Sequence, residues 1–269
     1  MMWVIQMNLN KKNYYSQEAN QEYMSVSQFK DFFKCEALAL AKIDGFNEFT
    51  SNTALLVGNY VHSYFESDEA HCEFLKENDE AIKTKAGKPR ADFITADNMI
   101  NKLKNDNFFN FVYQGEKEHI LTGEFFGTEW KARIDCLNVE KGYFVDIKTT
   151  ASMDKRYWSK KYLKMVSFVE NYDYVLQMAV YKVLLEKKFG KSFEPYIMAV
   201  SKDEPTNIAA IKFDEERFTA EYDLIETLLP RIIKVKNKEI EPHRCENCAY
   251  CKQTKQLTGF IEVGELLEQ

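Results

Sequence analysis

The stretch Ile134-Asp-Cys-Leu-Asn-Val-Glu-Lys-Gly-Tyr-Phe-Val-Asp-Ile-Lys-Thr-Thr150 decides how this chain is read. From Gly142 to Lys148, Tyr143, Val145 and Ile147 alternate with Phe144, Asp146 and Lys148. That is the period of a strand with two different faces, so Asp146 and Lys148 share a face. Thr128 to Leu137 alternates likewise, with Trp130, Ala132, Ile134 and Cys136 on one side and Lys131, Arg133 and Asp135 on the other. A hairpin closed at Glu140-Lys141 pairs 138 with 143 and sets Asp135 opposite Asp146, Cβ atoms about 5 Å apart. Facing carboxylates destabilise a strand pair unless a divalent cation lies between them, and hard Mg²⁺ or Mn²⁺ suits such an oxygen site. Lys148 adds a positive charge that can orient water and stabilise charge developing on a phosphate. The competing reading is a surface hairpin with an ordinary Asp–Lys ion pair. Glu140-Lys141 is also a weak choice for a two-residue turn.

Working outward, Leu55 to Glu66 reads as a helix in which Gly58, His62 and Glu66 recur every four residues along one stripe. The small residue permits close packing, and imidazole is a good Mn²⁺ ligand. Downstream, Tyr172 to Lys188 carries apolar repeats at Val175, Ala179 and Val183 and at Leu176, Val180 and Leu184, an amphipathic helix on which Gln177 and Tyr181 can reach a common neighbour. Taken singly, His62 reads as a core or surface histidine, and the Gln177–Tyr181 pair as helix decoration.

In order, Gly58-x-x-x-His62, Ile134-Asp135, Asp146-Ile147-Lys148-Thr149-Thr150 and Gln177-x-x-x-Tyr181 resemble the RecB/RecE-like branch of the PD-(D/E)xK nuclease superfamily. The resemblance implies an α/β (α+β) fold with a central mixed sheet and an αβββαβ core. It implies His62, Asp135, Asp146 and the Ile147 carbonyl as ligands of Mg²⁺ or Mn²⁺, Lys148 as the catalytic lysine, and Gln177 and Tyr181 as supports beside the scissile strand. The second acidic position is Asp rather than Glu, which the pattern allows.

The chain has six cysteines, and Cys245, Cys248 and Cys251 form a Cys-x-x-Cys-x-x-Cys run suited to zinc or an iron–sulfur cluster. Ser25 to Cys35 resembles the segment that supplies a fourth cysteine to a 4Fe-4S cluster in AddB-type nuclease domains, joining the two ends of the domain. The usual spacing between the last two cysteines there is wider. Cluster, zinc with Cys35 or His243 as fourth ligand, and unligated thiols all stay open. Cys72 and Cys136 read as plain buried or half-buried residues.

With 269 residues, 45% hydrophobic, the chain can bury one sizeable core. The reading is a single nuclease domain over 1–269, with an N-terminal helical extension over 1–50 carrying Cys35 and a Cys-rich extension over 240–269. No apolar run approaches a membrane span, and Met1-Met-Trp-Val-Ile-Gln is no secretory leader, which points to the cytoplasm and excludes a membrane partner. Met7 and Met24 offer alternative starts. The net charge of -6 argues against a general nucleic-acid coat. Yet residues 148 to 164 hold six cations against one acid, and residues 83 to 90 hold four cations. Lys155, Arg156, Trp158, Lys160 and Lys161, interleaved with Tyr157 and Tyr162, suit a groove that tracks DNA phosphates and stacks an exposed base; a solvated connection is the bland alternative.

Ser27 is expected to cap a helix running to Ala41, followed by helices over 51–67, 68–82 and 96–105. Strands are expected over 120–126, 129–137, 142–149, 195–200 and 209–213, and a last helix over 215–236 that Pro230 kinks or divides. There is no Gly-x-x-x-x-Gly-Lys-Ser/Thr loop and so no ATP motor. A nuclease of this length resembles phage or prophage RecE-like exonucleases. That implies linear duplex ends as substrate, a RecT-like single-strand annealing protein as partner and a ring-like homo-oligomer. The alternatives are a restriction- or repair-type endonuclease, and a non-catalytic Cys-metal nucleic-acid-binding module on a nuclease fold.

Overall fold

The computed structural model describes residues 7–46, 53–257, 259–260 and 262–264. The start Met1–Gln6, positions 51 and 52 of the expected His62 helix, and 265–269 of the C-terminal extension lie outside the described residues. The chain begins with α1 (Gln17–Glu22), α2 (Val26–Lys34), α3 (Glu36–Ile43), α4 (Thr53–Glu66), α5 (Asp68–Glu77), α6 (Asp79–Ile82), α7 (Ala91–Lys104) and α8 (Asn107–Val112). Then come β1 (Glu116–Phe125), β2 (Thr128–Asn138), β3 (Tyr143–Thr150), β4 (Tyr157–Ser159) and β5 (Lys164–Val166). It continues with α9 (Phe168–Asn171), α10 (Tyr174–Phe189), β6 (Glu194–Ser201), β7 (Ile208–Lys212), α11 (Glu216–Lys236) and α12 (Ala249–Gln253). Internal contacts divide the chain into two units: residues 1–50, 120–132 and 219–269 form the first, and 51–119 with 133–218 form the second.

A five-stranded sheet has the order β1-β2-β3-β6-β7. β3 and β6 are parallel, joined by the α9–α10 crossover, whereas β2–β3 and β6–β7 are antiparallel, so the sheet is mixed as expected. The expected register holds: Asn138 pairs with Tyr143, Leu137 with Phe144 and Cys136 with Val145. The weak turn pair is explained by a longer loop. The Lys141 N–H donates to Asn138 Oδ1 at 2.9 Å, and the Gly142 N–H donates to the Asn138 carbonyl at 3.0 Å. Gly142 takes the left-handed conformation, φ 69°, that closes the loop.

In the second unit β3 is buried along most of its length, and Val145 and Ile147 join Cys136, Met198 and Val200 beneath Val57 and Val61 of α4 and Phe93, Met99 and Ile100 of α7. That core fixes which side of β3 carries charge. Gly58 of α4 faces β3, and a Cβ built there would lie 3.6 Å from Thr149 Oγ1, an ordinary contact, so the approach of α4 to β3 does not depend on the glycine. α7 begins at Ala91, five residues before expected, after the loop that ends with Arg90.

In the first unit the single helix expected from Ser27 is two. Ser25, not Ser27, caps α2, its side chain accepting from the Gln28 N–H, and the chain turns extended at Cys35, φ -162°, before α3. α11 runs on through Pro230 as one helix rather than dividing. Lys131 is buried and donates to the Tyr14 carbonyl at 2.5 Å and to Asn20 Oδ1 at 2.7 Å, while Lys236 donates to the Tyr23 carbonyl at 2.7 Å. Burial pushes Lys131 down to about 8, and burial with the field of Lys131 pushes Lys236 down to about 7.

Two consequences can be measured. Gly115 sits at φ 153°, and a Cβ on it would lie only 2.2 Å from the Leu137 carbonyl oxygen, so Gly115→Ala lowers stability by about 2 kcal/mol or more in urea melts. A depressed lysine binds fewer protons folded than unfolded, so Lys131 and Lys236 together make stability rise as pH climbs from about 7 towards 10. Lys236→Met flattens that rise in melting temperature; an unchanged slope would show that Lys236 is already charged in the fold.

Candidate active site

Three neighbouring strands, β1, β2 and β3, and the helices α4 and α10 bring the acids and their partners together. Asp135 Oδ2 accepts the Ile147 N–H at 2.8 Å and lies 3.2 Å from His62 Nδ1 on α4. The Asp135 carbonyl, on the backbone side, accepts the Tyr113 hydroxyl at 3.4 Å. Asp146 Oδ1 and Oδ2 accept Lys148 Nζ at 2.6 and 2.9 Å, and Oδ1 also accepts Gln177 Nε2 of α10 at 2.8 Å. Lys148 Nζ lies 4.6 Å from the centroid of the Tyr174 ring. One donor atom each of His62, Glu118 and Asp135 falls within 4.8 Å of the others, with Glu118 held by Arg133 Nε at 2.8 Å.

Burial works against every charge in this cluster, and the neighbours decide the outcome. Burial and the field of Asp135 push Asp146 up to about 7, against Lys148 and His62. Burial and Asp135 likewise push Glu118 up to about 7, with Arg133 opposing. Burial would raise Asp135 too, but His62, Lys148 and the Ile147 N–H hold it well below the usual carboxylate range. Burial lowers His62 and Lys148, yet Asp135 brings His62 out above its ordinary value and Asp146 does the same for Lys148. Burial is the first cause of both raised acids, and the three acids stand beside three cationic partners, His62, Lys148 and Arg133. Oxygen donors with one imidazole fit a divalent cation such as Mg²⁺ or Mn²⁺.

Of the residues expected here, His62, Asp135, Asp146, Ile147, Lys148 and Gln177 stand within one connected network. Tyr181 packs its ring 6.4 Å from that of Phe144, one residue before Val145 on β3. Glu118 escaped the sequence reading. It sits at φ 54° in β1, which breaks the strand period, and it lies before residue 120, where the first strand was expected to begin. The expected basic connection is a two-stranded hairpin, β4–β5. Lys155, Arg156, Trp158 and Lys160 are exposed on it, while half-buried Lys161 pairs with Asp173 at 3.4 Å.

The first unit gathers Cys35, Cys245, Cys248 and Cys251 with all four sulfurs within 4.8 Å of one another. Cys35 Sγ lies 3.6 Å from Cys251 Sγ and 3.8 Å from Cys248 Sγ. The Cys248 and Cys251 N–H groups donate to Cys245 Sγ and Cys248 Sγ at 3.3 and 3.4 Å, bonds that favour thiolates. Cys35, rather than His243, completes the quartet; His243 uses its backbone N–H on Glu36 Oε2 at 2.7 Å. Cys136 is buried as expected, but Cys72 is exposed, because α5 buries none of its residues.

The comparisons agree with this geometry. No curated protein matches the sequence significantly. The crystal structure of a protein from Eubacterium rectale, provisionally designated an exonuclease, is 36% identical over 97% of this chain and 98% of its own, with a TM-score of 0.91. A second solved structure, SSO0001, is 16% identical over 83% of this chain and 93% of its own at a TM-score of 0.30, a likeness that carries no weight. The family described as "PDDEXK-like domain of unknown function (DUF3799)" matches residues 25–254, and with that span, the mixed sheet and the acidic strand pair, the chain belongs to this family of the PD-(D/E)xK superfamily.

Proposed function

We propose that this chain is a metal-dependent deoxyribonuclease that hydrolyses phosphodiester bonds from the ends of linear duplex DNA, a RecE-like exonuclease of phage or prophage recombination. The observation that supports it most is the convergence of His62, Glu118 and Asp135 within 4.8 Å, beside an Asp146 that contacts both Lys148 and Gln177. In this reading His62, Glu118, Asp135, Asp146 and the Ile147 carbonyl hold Mg²⁺ or Mn²⁺. The bound cation supplies Lewis-acid stabilisation of phosphate charge and a more acidic water. Lys148 sets a positive charge where the phosphate becomes more negative, and Gln177 fixes the Asp146 carboxylate in one orientation. Tyr181 supports the strand carrying Asp146. Lys155, Arg156 and Lys160 meet phosphates, with Lys161 and Trp158 beside them. Cytoplasmic location, a RecT-like annealing partner and a ring-like homo-oligomer belong to the same reading; no helix among the described residues is long and apolar enough to cross a membrane.

Purified protein with Mg²⁺ or Mn²⁺ is expected to degrade linear duplex and leave covalently closed circular duplex intact. Asp146→Asn, Lys148→Gln and Glu118→Gln should each lower kcat by about 10²-fold or more, with melting temperatures near wild type. Cutting of the circle would turn the reading towards an endonuclease, and full activity in Asp146→Asn would remove the assigned site.

For the cysteine quartet we propose a single zinc ion. Four thiolates about 2.3 Å from one tetrahedral ion lie about 3.8 Å apart, the spacing of the Cys35 pairs at 3.6 and 3.8 Å. A 4Fe-4S cube binds each cysteine to its own iron and needs them farther apart. Elemental analysis of anaerobically purified protein should find about one zinc per chain and no visible absorbance. Stoichiometric iron with a broad visible band would establish the cluster instead.

A further inference from the structure

Lys117 of β1, half-buried, turns its ammonium onto groups that ion pairing does not explain. Its Nζ donates to the Tyr113 carbonyl at 2.8 Å and to Cys136 Sγ at 3.1 Å, and lies 3.5 Å from the centroid of the Tyr113 ring. These partners are a carbonyl, a thiol and a ring, with no carboxylate among them. A half-buried ammonium so placed recovers little of the hydration it gives up, so stability alone is a poor account of it. The contacts are made where β1 leaves the strand period. Glu118 comes next, at φ 54°, and the buried positions of β1 are 118, 121 and 125. Regular alternation would put 118 and 121 on opposite faces. The left-handed residue inserts one position and turns the Glu118 carboxylate inward, to Arg133 Nε at 2.8 Å and to within 4.8 Å of His62 and Asp135.

A left-handed glutamate is strained and persists only where its surroundings hold it. Lys117 supplies such a hold on the side facing β2. Cys136 directly follows Asp135, and Tyr113, whose carbonyl takes the ammonium, donates its hydroxyl to the Asp135 carbonyl at 3.4 Å. Lys117 thereby ties the bulge that aims Glu118 to the backbone that carries Asp135. We propose that Lys117 is a positioning residue of the cation site: clasped between Tyr113 and Cys136, it fixes the separation of the Glu118 and Asp135 carboxylates and so sets the affinity for a divalent cation, without touching the cation or DNA. This rests on the reading of His62, Glu118, Asp135 and Asp146 as cation ligands. Groups that orient a ligand from behind commonly carry 10-fold or more of a site's affinity, roughly 10- to 100-fold.

The test is Mn²⁺ binding to the protein as purified, without DNA, read from the paramagnetic resonance of the free ion and set beside thermal melts without added Mn²⁺. Lys117→Met keeps the stem and removes the ammonium. It should weaken Mn²⁺ binding about 10-fold while the melting temperature stays level or rises, because an ammonium without a carboxylate gives way to an apolar group of similar shape. Charge alone predicts the opposite sign, since removing a cation beside an acidic site favours the entering one. Lys117→Arg, which keeps the charge and donors for carbonyl and sulfur, should bind within about threefold of wild type. In a Glu118→Gln background Lys117→Met should cost less than about twofold, the carboxylate it positions being already gone. Wild-type affinity in Lys117→Met, or the same 10-fold loss in the Glu118→Gln background, would overturn the proposal. Failure of the ligand reading is separate: wild type then binds no Mn²⁺, or Glu118→Gln alone leaves its affinity unchanged.

Discussion

The crowding of carboxylates where β2 meets β3 is the constraint to which the second unit answers. Two unit charges about 5 Å apart at an effective dielectric of about 20 repel by roughly 3 kcal/mol, and Glu118 adds a third acid. The fold meets this acid by acid. Asp135 has His62 and the Ile147 N–H, Asp146 has Lys148 and Gln177, and Glu118 has Arg133. Each partner comes from the same strand pair or from a helix packed on it, so the chain can fold before any cation arrives. In the proposed mechanism, taking up a divalent cation means giving up some of these pairs and releasing protons from acids that burial has raised. The site is thus an exchange of counter-ions and not a rigid cage waiting to be filled.

Precision in such an exchange comes from the elements that carry the side chains. Val145 and Ile147, buried on one face of β3, fix the opposite orientation of Asp146 and Lys148. Val57 and Val61 pack α4 into the core with Val145 and Ile147, which puts His62 within reach of Asp135. α10 starts from Asp173, a left-handed residue at φ 53°, and that start sets Tyr174 beside Lys148 and Gln177 against Asp146. The helix, the strand and the bend before α10 each supply one partner, so a shift of any would change the charge balance of the whole cluster.

The β2–β3 register was legible because alternation over two long runs leaves few other pairings that bury one face. α4, α10 and the order of motifs were legible for the same reason, since a helical period over several turns is hard to imitate. Glu118 was not, because a positive φ removes it from the period that would have announced it. The Asn138 to Gly142 loop was not legible, because it is closed by bonds to the Asn138 side chain and carbonyl and not by a two-residue turn at Glu140-Lys141. The break at Cys35 was hidden because apolar residues continue across it, with Phe32 and Ala37 both buried. The β4–β5 hairpin read as a charged connection because Trp158, Leu163 and Met165 are exposed among its lysines and only Val166 is buried as patterning assumes.

The two candidate metal sites are of opposite chemical character, and that difference bears on how each is filled. Zinc outranks Mn²⁺ and Mg²⁺ at mixed imidazole–carboxylate sites, so His62, Glu118 and Asp135 would by affinity alone accept the wrong ion. Four thiolates in the same chain are a softer and more complete set, already gathered within 4.8 Å. They reach four-coordination without water, whereas the acidic cluster must leave positions open for a phosphate and a nucleophile. Selectivity at the acidic site would therefore depend on its hard oxygen donors and on which ions are abundant, not on tightness. Displacing Lys148 from Asp146 costs the same for every entering cation, so discrimination would rest on the abundance of the oxygen-seeking ions and on the donor set.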